Sequence, residues 1–186
     1  MDLANSATTS ILYAIDIIEN NINSAINSYN EFLDGVPPLI ENQFKMTGRE
    51  TFANPKPGEP AAVDYTIGFK DVVLSRSAKF VHASRLPRLP SDDINSSGTY
   101  AADLSAVITC TMQNLDKEGQ PMGPPLTVET KQHLIGSIPV MVGSNRCNLY
   151  QLSDDAKYLL GEDPADRGGY FIINGTKRVM LTRVNA

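Results

Sequence analysis

Basic residues cluster in two stretches of the sequence, 72–90 and 169–186, that contain no acidic residue. Guanidinium and ammonium groups bind phosphate oxygens, and such contacts are sensitive to salt and indifferent to base sequence. The first stretch is the stronger candidate for contacts with a nucleic-acid backbone, and the alternative is ordinary solvated charge on loops. The candidate residues are Arg76, Lys79, Arg85, Arg88, Lys177 and Arg178.

Catalytic and metal-binding patterns are missing from the sequence. Nucleotidyl transfer needs carboxylates that hold two Mg²⁺ ions, but Asp92-Asp93 and Asp154-Asp155 are typical of a turn and of a helix start. There is no glycine-rich phosphate loop, no Ser-His-Asp order and no Cys-His pairing. We therefore predict no catalytic, cofactor-binding or metal-binding residue.

The histidines and cysteines favour structural roles. His82 and His133 have no second His or Cys at metal-ligand spacing, so each is predicted to be structural. Cys110 and Cys147 lie far apart and form no CxxC pair. We predict that both thiols are reduced and buried.

Composition indicates a folded chain with an acidic body. The chain has 186 residues, of which 41% are hydrophobic and 20% charged, and its net charge is −5. This charge argues against a protein whose whole surface follows a phosphate backbone, so nucleic-acid contact on one side only is expected. No apolar run reaches the ~18 residues of a membrane span, and the N-terminus has no signal-peptide pattern. These features predict an intracellular protein without a membrane partner.

Apolar residues at helical spacing occupy the first 46 residues, and Ile22, Ile26, Tyr29 and Leu33 form the clearest stripe. The pattern predicts three helices in this segment. We expect the first to run to about Glu19, an interruption at Asn20-Asn21, a second helix that Gly35 ends, and a third that starts at Pro37 or Pro38 and buries Leu39, Ile40 and Phe44.

Strand patterns follow the helical segment. Apolar residues alternate over 63–69, which 72–74 continues or neighbours, and again over 102–115 and 126–135. Loops are expected at 53–61, 91–98 and 116–125. Residues 138–142 are apolar on both faces and are expected to be buried, and Ser153 is expected to cap a short helix that ends before Gly161.

The clearest local signal is a hairpin near the end of the chain. Residues 170–173 are aromatic or β-branched, and Asn174-Gly175 is typical of a type I′ turn, which needs positive φ at both central residues. The return strand is expected to include 179–181. Gly168-Gly169 is expected to let the backbone enter the hairpin with positive φ.

Two long blocks of sequence resemble the second-largest subunit of multisubunit DNA-directed RNA polymerases, the counterpart of the bacterial β subunit. Shorter matches occur in the helical segment, at Ser28-Tyr29-Asn30 and Phe32, and in the strand of Tyr65, Ile67 and Phe69. Lys177-Arg178 departs from the family, which usually has Glu-Lys there. The first block has Gly136, Ile138-Pro139-Val140-Met141, Ser144, Cys147 and Leu149, and the second has Asp166, Gly168-Gly169-Tyr170-Phe171-Ile172-Ile173-Asn174-Gly175 and Val179.

The resemblance implies an α+β fold. A helical segment, 1–46, would precede a mixed, mainly antiparallel sheet with hairpins, 47–186, which is the first part of a protrusion-like domain that stops before the lobe. In the family this domain is a wall of the DNA cleft, and it lies near upstream DNA and initiation factors. The implied partners are the largest subunit, the rest of the second-largest subunit and DNA, and the catalytic Mg²⁺ of the assembled polymerase is held elsewhere.

Alternatives remain open at this stage. The resemblance implies that the chain is a truncated product, one piece of a split subunit or a fragment, and these three options are left open. The chain resembles versions from large cytoplasmic DNA viruses, which would place it in a virion or the host cytoplasm, and otherwise the nucleus is expected. A stand-alone module that binds polymerase subunits or transcription factors is the second hypothesis, and a small independent enzyme, which no constellation supports, is the third.

Overall fold

The computed structural model describes residues 2–81 and 84–180, with side chains for 12–79 and 84–180. It divides the chain into two compact units. The first combines Met1–Asp34, Ser75–Asp103 and Ser137–Ala186, and the second combines Gly35–Leu74 and Leu104–Gly136. The α+β class, with an N-terminal helix followed by mainly antiparallel sheet and hairpins, is confirmed. The predicted division of domains at residue 46 stays a prediction.

Three helices and eight strands are present in the described residues. The helices are α1 (Asp2–Gln43), α2 (Pro90–Asn95) and α3 (Asp154–Leu159). The strands are β1 (Met46–Thr51), β2 (Ala62–Leu74), β3 (Ala78–Val81), β4 (Ser84–Pro87), β5 (Ala101–Leu115), β6 (Leu126–Pro139), β7 (Phe171–Ile173) and β8 (Thr176–Arg178).

Helix α1 is continuous, so the predicted interruptions at Asn20-Asn21 and Gly35 are wrong. An asparagine costs only about 0.7 kcal/mol and a glycine about 1 kcal/mol relative to alanine inside a helix. Tertiary packing offsets such costs, since Ile22 contacts Gly169 and Ile26 contacts Gly143. The helix also continues through Pro37 and Pro38, although each lacks the N–H that would bond four residues back.

The helix ends at Gln43. The buried face predicted for Leu39, Ile40 and Phe44 is wrong for Leu39 and Phe44, and Ile40 is half-buried. Leu39 and Phe44 are 44% and 57% exposed, and Val36 is the buried residue here. Strand β1, which was not predicted, starts directly afterwards and pairs with β2.

The second unit contains a four-stranded sheet in the order β1-β2-β5-β6. Strands β1 and β2 are antiparallel, as are β2 and β5, and the β2–β5 register shifts between Lys70 and Val73. The hydrogen bonds of the Thr111–Thr127 and Ile108–Thr130 pairs give β5 and β6 an antiparallel order. The predicted strands are confirmed with longer bounds, because β2 continues through residues 72–74.

The first unit has its core around residues 140–142, which are buried as predicted. The backbone of this segment forms hydrogen bonds with two other parts of the chain, around Tyr100 and around Tyr170. Val140 N–H donates to the Tyr100 carbonyl (2.8 Å), and Val142 N–H donates to the Tyr170 carbonyl (2.9 Å). The rings of Tyr29 and Phe171 pack edge to face at 5.2 Å, and the Tyr29 hydroxyl donates to the Pro139 carbonyl. The same core buries Leu33, Tyr100, Cys147 and Ile172.

Local signals near the end of the chain are confirmed. Ser153 caps α3, and the β7–β8 turn has φ of 50° at Asn174 and 73° at Gly175. Strand β8 ends at Arg178, so the extension predicted through Met180 is wrong, and residue 181 lies outside the described residues.

The loop predicted at 91–98 is wrong at its start, where α2 forms. Pro90 is at the first helical position, and the Asp92 carboxylate accepts a hydrogen bond from the Leu89 N–H (2.8 Å). Proline and an acceptor three residues into the helix both stabilise a helix start. None of the described helices is long and apolar enough to cross a membrane.

Candidate nucleic-acid interface

The first basic stretch forms the hairpin of β3 and β4, which was not predicted. Ala78 pairs with Pro87 and Lys79 with Leu86. One step outside the strands, the Arg88 N–H donates to the Ser77 carbonyl (3.2 Å). The four candidates from this stretch therefore lie on, or directly beside, one two-stranded ribbon in the first unit.

The hairpin register separates these four residues into two pairs. Side chains opposite each other in an antiparallel ribbon lie on the same face, and neighbours along a strand alternate. Arg88 is opposite Ser77, two residues before Lys79, so Lys79 and Arg88 share one face. Arg85 is opposite Phe80 and belongs to the other face, where the alternation also places Arg76.

Both side chains on the first face form ion pairs with α2. Lys79 Nζ lies 2.7 Å from the Asp92 carboxylate, and the Arg88 guanidinium contacts the Asp93 carboxylate. Partial burial raises the pKa of Asp92, but Lys79 and the Leu89 N–H outweigh it and hold that pKa below its usual range. Asp93 is fully buried, and its burial raises its pKa despite the opposing effect of Arg88.

Arg76 and Arg85 are exposed and have no ion pair within the described part of the chain. They are therefore the two cations of this hairpin whose charge is not balanced by a neighbouring carboxylate.

Asn148 anchors the base of the hairpin. Its side-chain amide donates to the carbonyls of Ser77 (2.7 Å) and Arg88 (2.8 Å), one on each side of the ribbon. Its backbone N–H donates to the hydroxyl of the buried Tyr100 (2.9 Å). This role of Asn148 was not predicted, because the contact joins residues 60 and 71 positions apart.

Replacing Asn148 with alanine is expected to lower the free energy of unfolding by about 1–2 kcal/mol, since two partly buried carbonyls lose their donor. Asn148→Asp should cost at least as much, because a carboxylate cannot donate to those carbonyls. Urea denaturation of both variants measures the loss. The exposed Asn114→Ala serves as the matched control.

The second basic stretch contributes Lys177 and Arg178 from β8. Lys177 Nζ lies 2.9 Å from Asp166 Oδ2, which also accepts from the Tyr170 hydroxyl (2.6 Å). Tyr170 and then Asp166 raise the pKa of Lys177 above its usual range, and burial raises the pKa of Tyr170 to about 12. Arg178 is exposed, with no ion pair among the described residues.

Helix α2 brings the two basic stretches together. Its acids bind Lys79 and Arg88, and the loop that follows it holds the β7–β8 turn, where Gly175 N–H donates to the Gly98 carbonyl (2.7 Å). Both stretches therefore connect to one short segment of the first unit.

The two cysteines differ in burial, so the prediction that both thiols are buried is confirmed for Cys147 and wrong for Cys110. His133 is exposed on β6, Cys147 is buried, Cys110 is half-buried, and His82 lies outside the described residues. Within residues 2–81 and 84–180, no three His, Cys, Asp or Glu side chains are placed to hold a metal ion.

Comparison with known proteins decides the family. The family model described as RNA polymerase beta subunit matches residues 20–185. The chain belongs to this family. Its similarity is to the N-terminal part of the second-largest subunit, as the two sequence blocks predicted.

Relatives of this chain include polymerase subunits from archaea and from a plant. The DNA-directed RNA polymerase subunit Rpo2N of Halobacterium salinarum is 55% identical over 56 residues, which cover 30% of this chain and 10% of that subunit. Rpo2N of Methanothermobacter thermautotrophicus is 30% identical over 174 residues, 90% of this chain and 28% of that subunit.

The DNA-directed RNA polymerase II subunit 2 of Arabidopsis thaliana is 27% identical over 175 residues, 87% of this chain and 14% of that subunit. The chain thus spans between about a tenth and about a quarter of the length of these relatives. The suggested viral origin stays a prediction.

Proposed function

We propose that this chain forms part of the wall of the DNA cleft in a DNA-directed RNA polymerase and contacts the DNA backbone there. The family match over residues 20–185 carries the proposal. Arg76 and Arg85, together with Arg178 on β8, are the proposed phosphate contacts, because their charges are exposed and not balanced by a carboxylate among the described residues. Lys79, Arg88 and Lys177 support these contacts through their ion pairs.

The proposed role is structural within transcription and not catalytic. The carboxylates that could suggest a magnesium site are engaged otherwise, since Asp92, Asp93 and Asp166 form ion pairs and Asp154-Asp155 begin α3. These residues do not fit the metal of nucleotidyl transfer. Other parts of the polymerase would supply that chemistry, and the chain would be found wherever that polymerase works, in the nucleus or, for a viral enzyme, in the virion or host cytoplasm.

Other polymerase subunits, the rest of the second-largest subunit and initiation factors are the proposed partners. An apolar groove of about 800 Å³ in the first unit supports contact with further polypeptide. Phe32, Val179 and Met180 line it and are 56%, 68% and 65% exposed. Exposed apolar surface of this kind is typical of interaction sites.

The same groove favours the second candidate function, a stand-alone module that binds polymerase subunits or factors. The two candidate functions differ in how the chain is assembled with the polymerase. A cleft-wall segment is incorporated into the polymerase as part of its second-largest subunit. A stand-alone module instead binds a polymerase that already contains a complete second-largest subunit. Adding the tagged chain to such a complete polymerase and isolating the complex by gel filtration distinguishes them.

The DNA contact is tested in the assembled polymerase with Arg76→Gln, Arg85→Gln and Arg178→Gln combined. Each phosphate contact that is removed should reduce the magnitude of the slope of log K, the DNA-binding constant, against log salt concentration by about 0.9. The affinity should fall alike for all DNA sequences. A matched control removes three exposed cations of the second unit, Lys45, Lys56 and Lys117, with the same change in charge. If the arginine variant keeps the wild-type slope, or the control changes it equally, the assignment is wrong.

A further inference from the structure

Strand β6 is an edge of the four-stranded sheet and is uncovered. It pairs with β5 and with no other strand among those described. Residues 126–134 are all exposed, on both faces of the sheet. Three of them are large and apolar, with Leu126, Val128 and Leu134 being 61%, 48% and 67% exposed. A long exposed edge presents unpaired backbone N–H and C=O groups to another strand.

We propose that β6 pairs antiparallel with β6 of a second copy of this chain, about a two-fold axis through Thr130. The two sheets then continue into one another across the axis. This interaction surface lies in the second unit and is independent of the proposed contacts with DNA.

Charge complementarity selects both the partner and the register. A two-fold axis perpendicular to the sheet passes through a residue that pairs with its own copy. With Thr130 on the axis, Glu129 is opposite Lys131 of the other copy, and this pair occurs twice. An axis through Glu129 or Lys131 would place like charges opposite each other, and an axis through Val128 or Gln132 would give no opposite-charge pair.

Apolar pairing agrees with the same register. Leu126 is opposite Leu134 of the other copy, again twice, and Val128 is opposite Gln132. Directly opposed side chains in a sheet interact, so these pairs cover both leucines of the strand. Residues 126–134 paired in this way would form about eight to ten backbone hydrogen bonds between the copies.

Glu129 has one interaction within its own chain, with Lys70 Nζ at 3.0 Å. Both side chains of this pair are about half exposed, so it contributes little and is compatible with a second cation beside Glu129. A test on Lys131 leaves the pair with Lys70 unchanged and is therefore the cleaner of the two charge reversals.

The first experiment measures dimerisation of the full 186-residue chain by sedimentation equilibrium. Lys131→Glu and Glu129→Lys should each weaken the dimer about tenfold or more, because attractive pairs become repulsive twice per dimer. The double variant restores opposite charges and should recover most of the affinity. Circular dichroism confirms folding of each variant. A wild-type chain that remains monomeric at high concentration, or a dimer insensitive to both single reversals, overturns the proposal.

The second experiment traps the register with a disulfide in a Cys110→Ser background. Thr130→Cys would bring two thiols together on the axis, where opposed Cα atoms are about 4.5–5.5 Å apart, within disulfide range. Mild oxidation should give a covalent dimer. Thr127→Cys is the control, since its copies would be about 20 Å apart at about 3.4 Å per residue. Equal cross-linking of both variants, or of neither, contradicts the register.

Discussion

Replacing Arg88 with methionine is expected to lower the free energy of unfolding by about 3–5 kcal/mol near neutral pH, the largest effect expected from a single charged residue in the chain. The Asp93 carboxylate that Arg88 contacts is fully buried. Neither of its oxygens accepts a well-oriented hydrogen bond in the described structure, so Arg88 is its main compensation. Without Arg88, a carboxylate remains buried and unpaired.

The loss should depend on pH. Burial raises the pKa of the folded Asp93 carboxyl above that of the unfolded chain. Its proton therefore stabilises the folded state fully below the unfolded pKa, and this stabilisation disappears as pH rises through the folded pKa. Arg88 lowers the pKa of the folded Asp93 carboxyl. Removing Arg88 therefore raises this pKa further, so the stabilisation by the proton is lost at a higher pH. The loss of unfolding free energy in Arg88→Met relative to the wild type should therefore shrink as pH falls from neutral towards the ordinary pKa of a carboxyl group.

Urea denaturation at several pH values measures this effect. Lys79→Met is the matched control, because its partner Asp92 is 31% exposed and its carboxylate can be hydrated when the ion pair is lost. The control should cost no more than about 1 kcal/mol. Adding Asp93→Asn to Arg88→Met should recover part of the loss. A deficit for Arg88→Met that is small and constant across this pH range would contradict the prediction.

Replacing Gly168 with alanine is expected to cost about 2–5 kcal/mol, combining a strained φ with a steric clash. Its φ is 80°, which disfavours any side chain. An added Cβ would overlap the Val142 carbonyl oxygen and lie 2.8 Å from its carbonyl carbon. This carbonyl accepts the Gly169 N–H (2.9 Å), so the clash falls on backbone that the core needs in place.

Gly161→Ala separates the two causes. Gly161 has nearly the same φ, 77°, but nothing lies within 4 Å of the position that a Cβ atom would take there. Only the backbone strain remains, so this variant should lose about 1–2 kcal/mol. Thermal and urea denaturation of both variants provide the comparison. Equal losses for the two would show that contact with residue 142 is unimportant.

Local chemistry explains what the sequence could predict. The β7–β8 hairpin follows from Asn174-Gly175, whose turn needs no distant partner, and the cap of α3 follows from Ser153. Strands β5 and β6 have alternating patterns long enough to recognise. The two long blocks of the family resemblance lie almost wholly in the first unit, where Val140, Cys147 and Ile172 are buried.

Tertiary contacts explain what the sequence could not predict. The β3–β4 strands are four residues each and depend on Asn148, which is remote in sequence. The division of the basic residues into balanced and unbalanced charges depends on α2, whose start was interpreted as a loop. The continuity of α1 likewise depends on packing against Gly143 and Gly169, which overrides the weak local signals at Asn20 and Gly35.

The interleaving of the two units has a consequence for biosynthesis. Tyr29 is translated before the second unit, but Phe171, whose ring packs against it at 5.2 Å, is translated after the whole of that unit. The second unit, whose last segment ends at residue 136, can therefore finish folding first. Until Phe171 has been translated, the nascent helix α1 exposes its apolar stripe, and this exposed stripe makes it a substrate for chaperones.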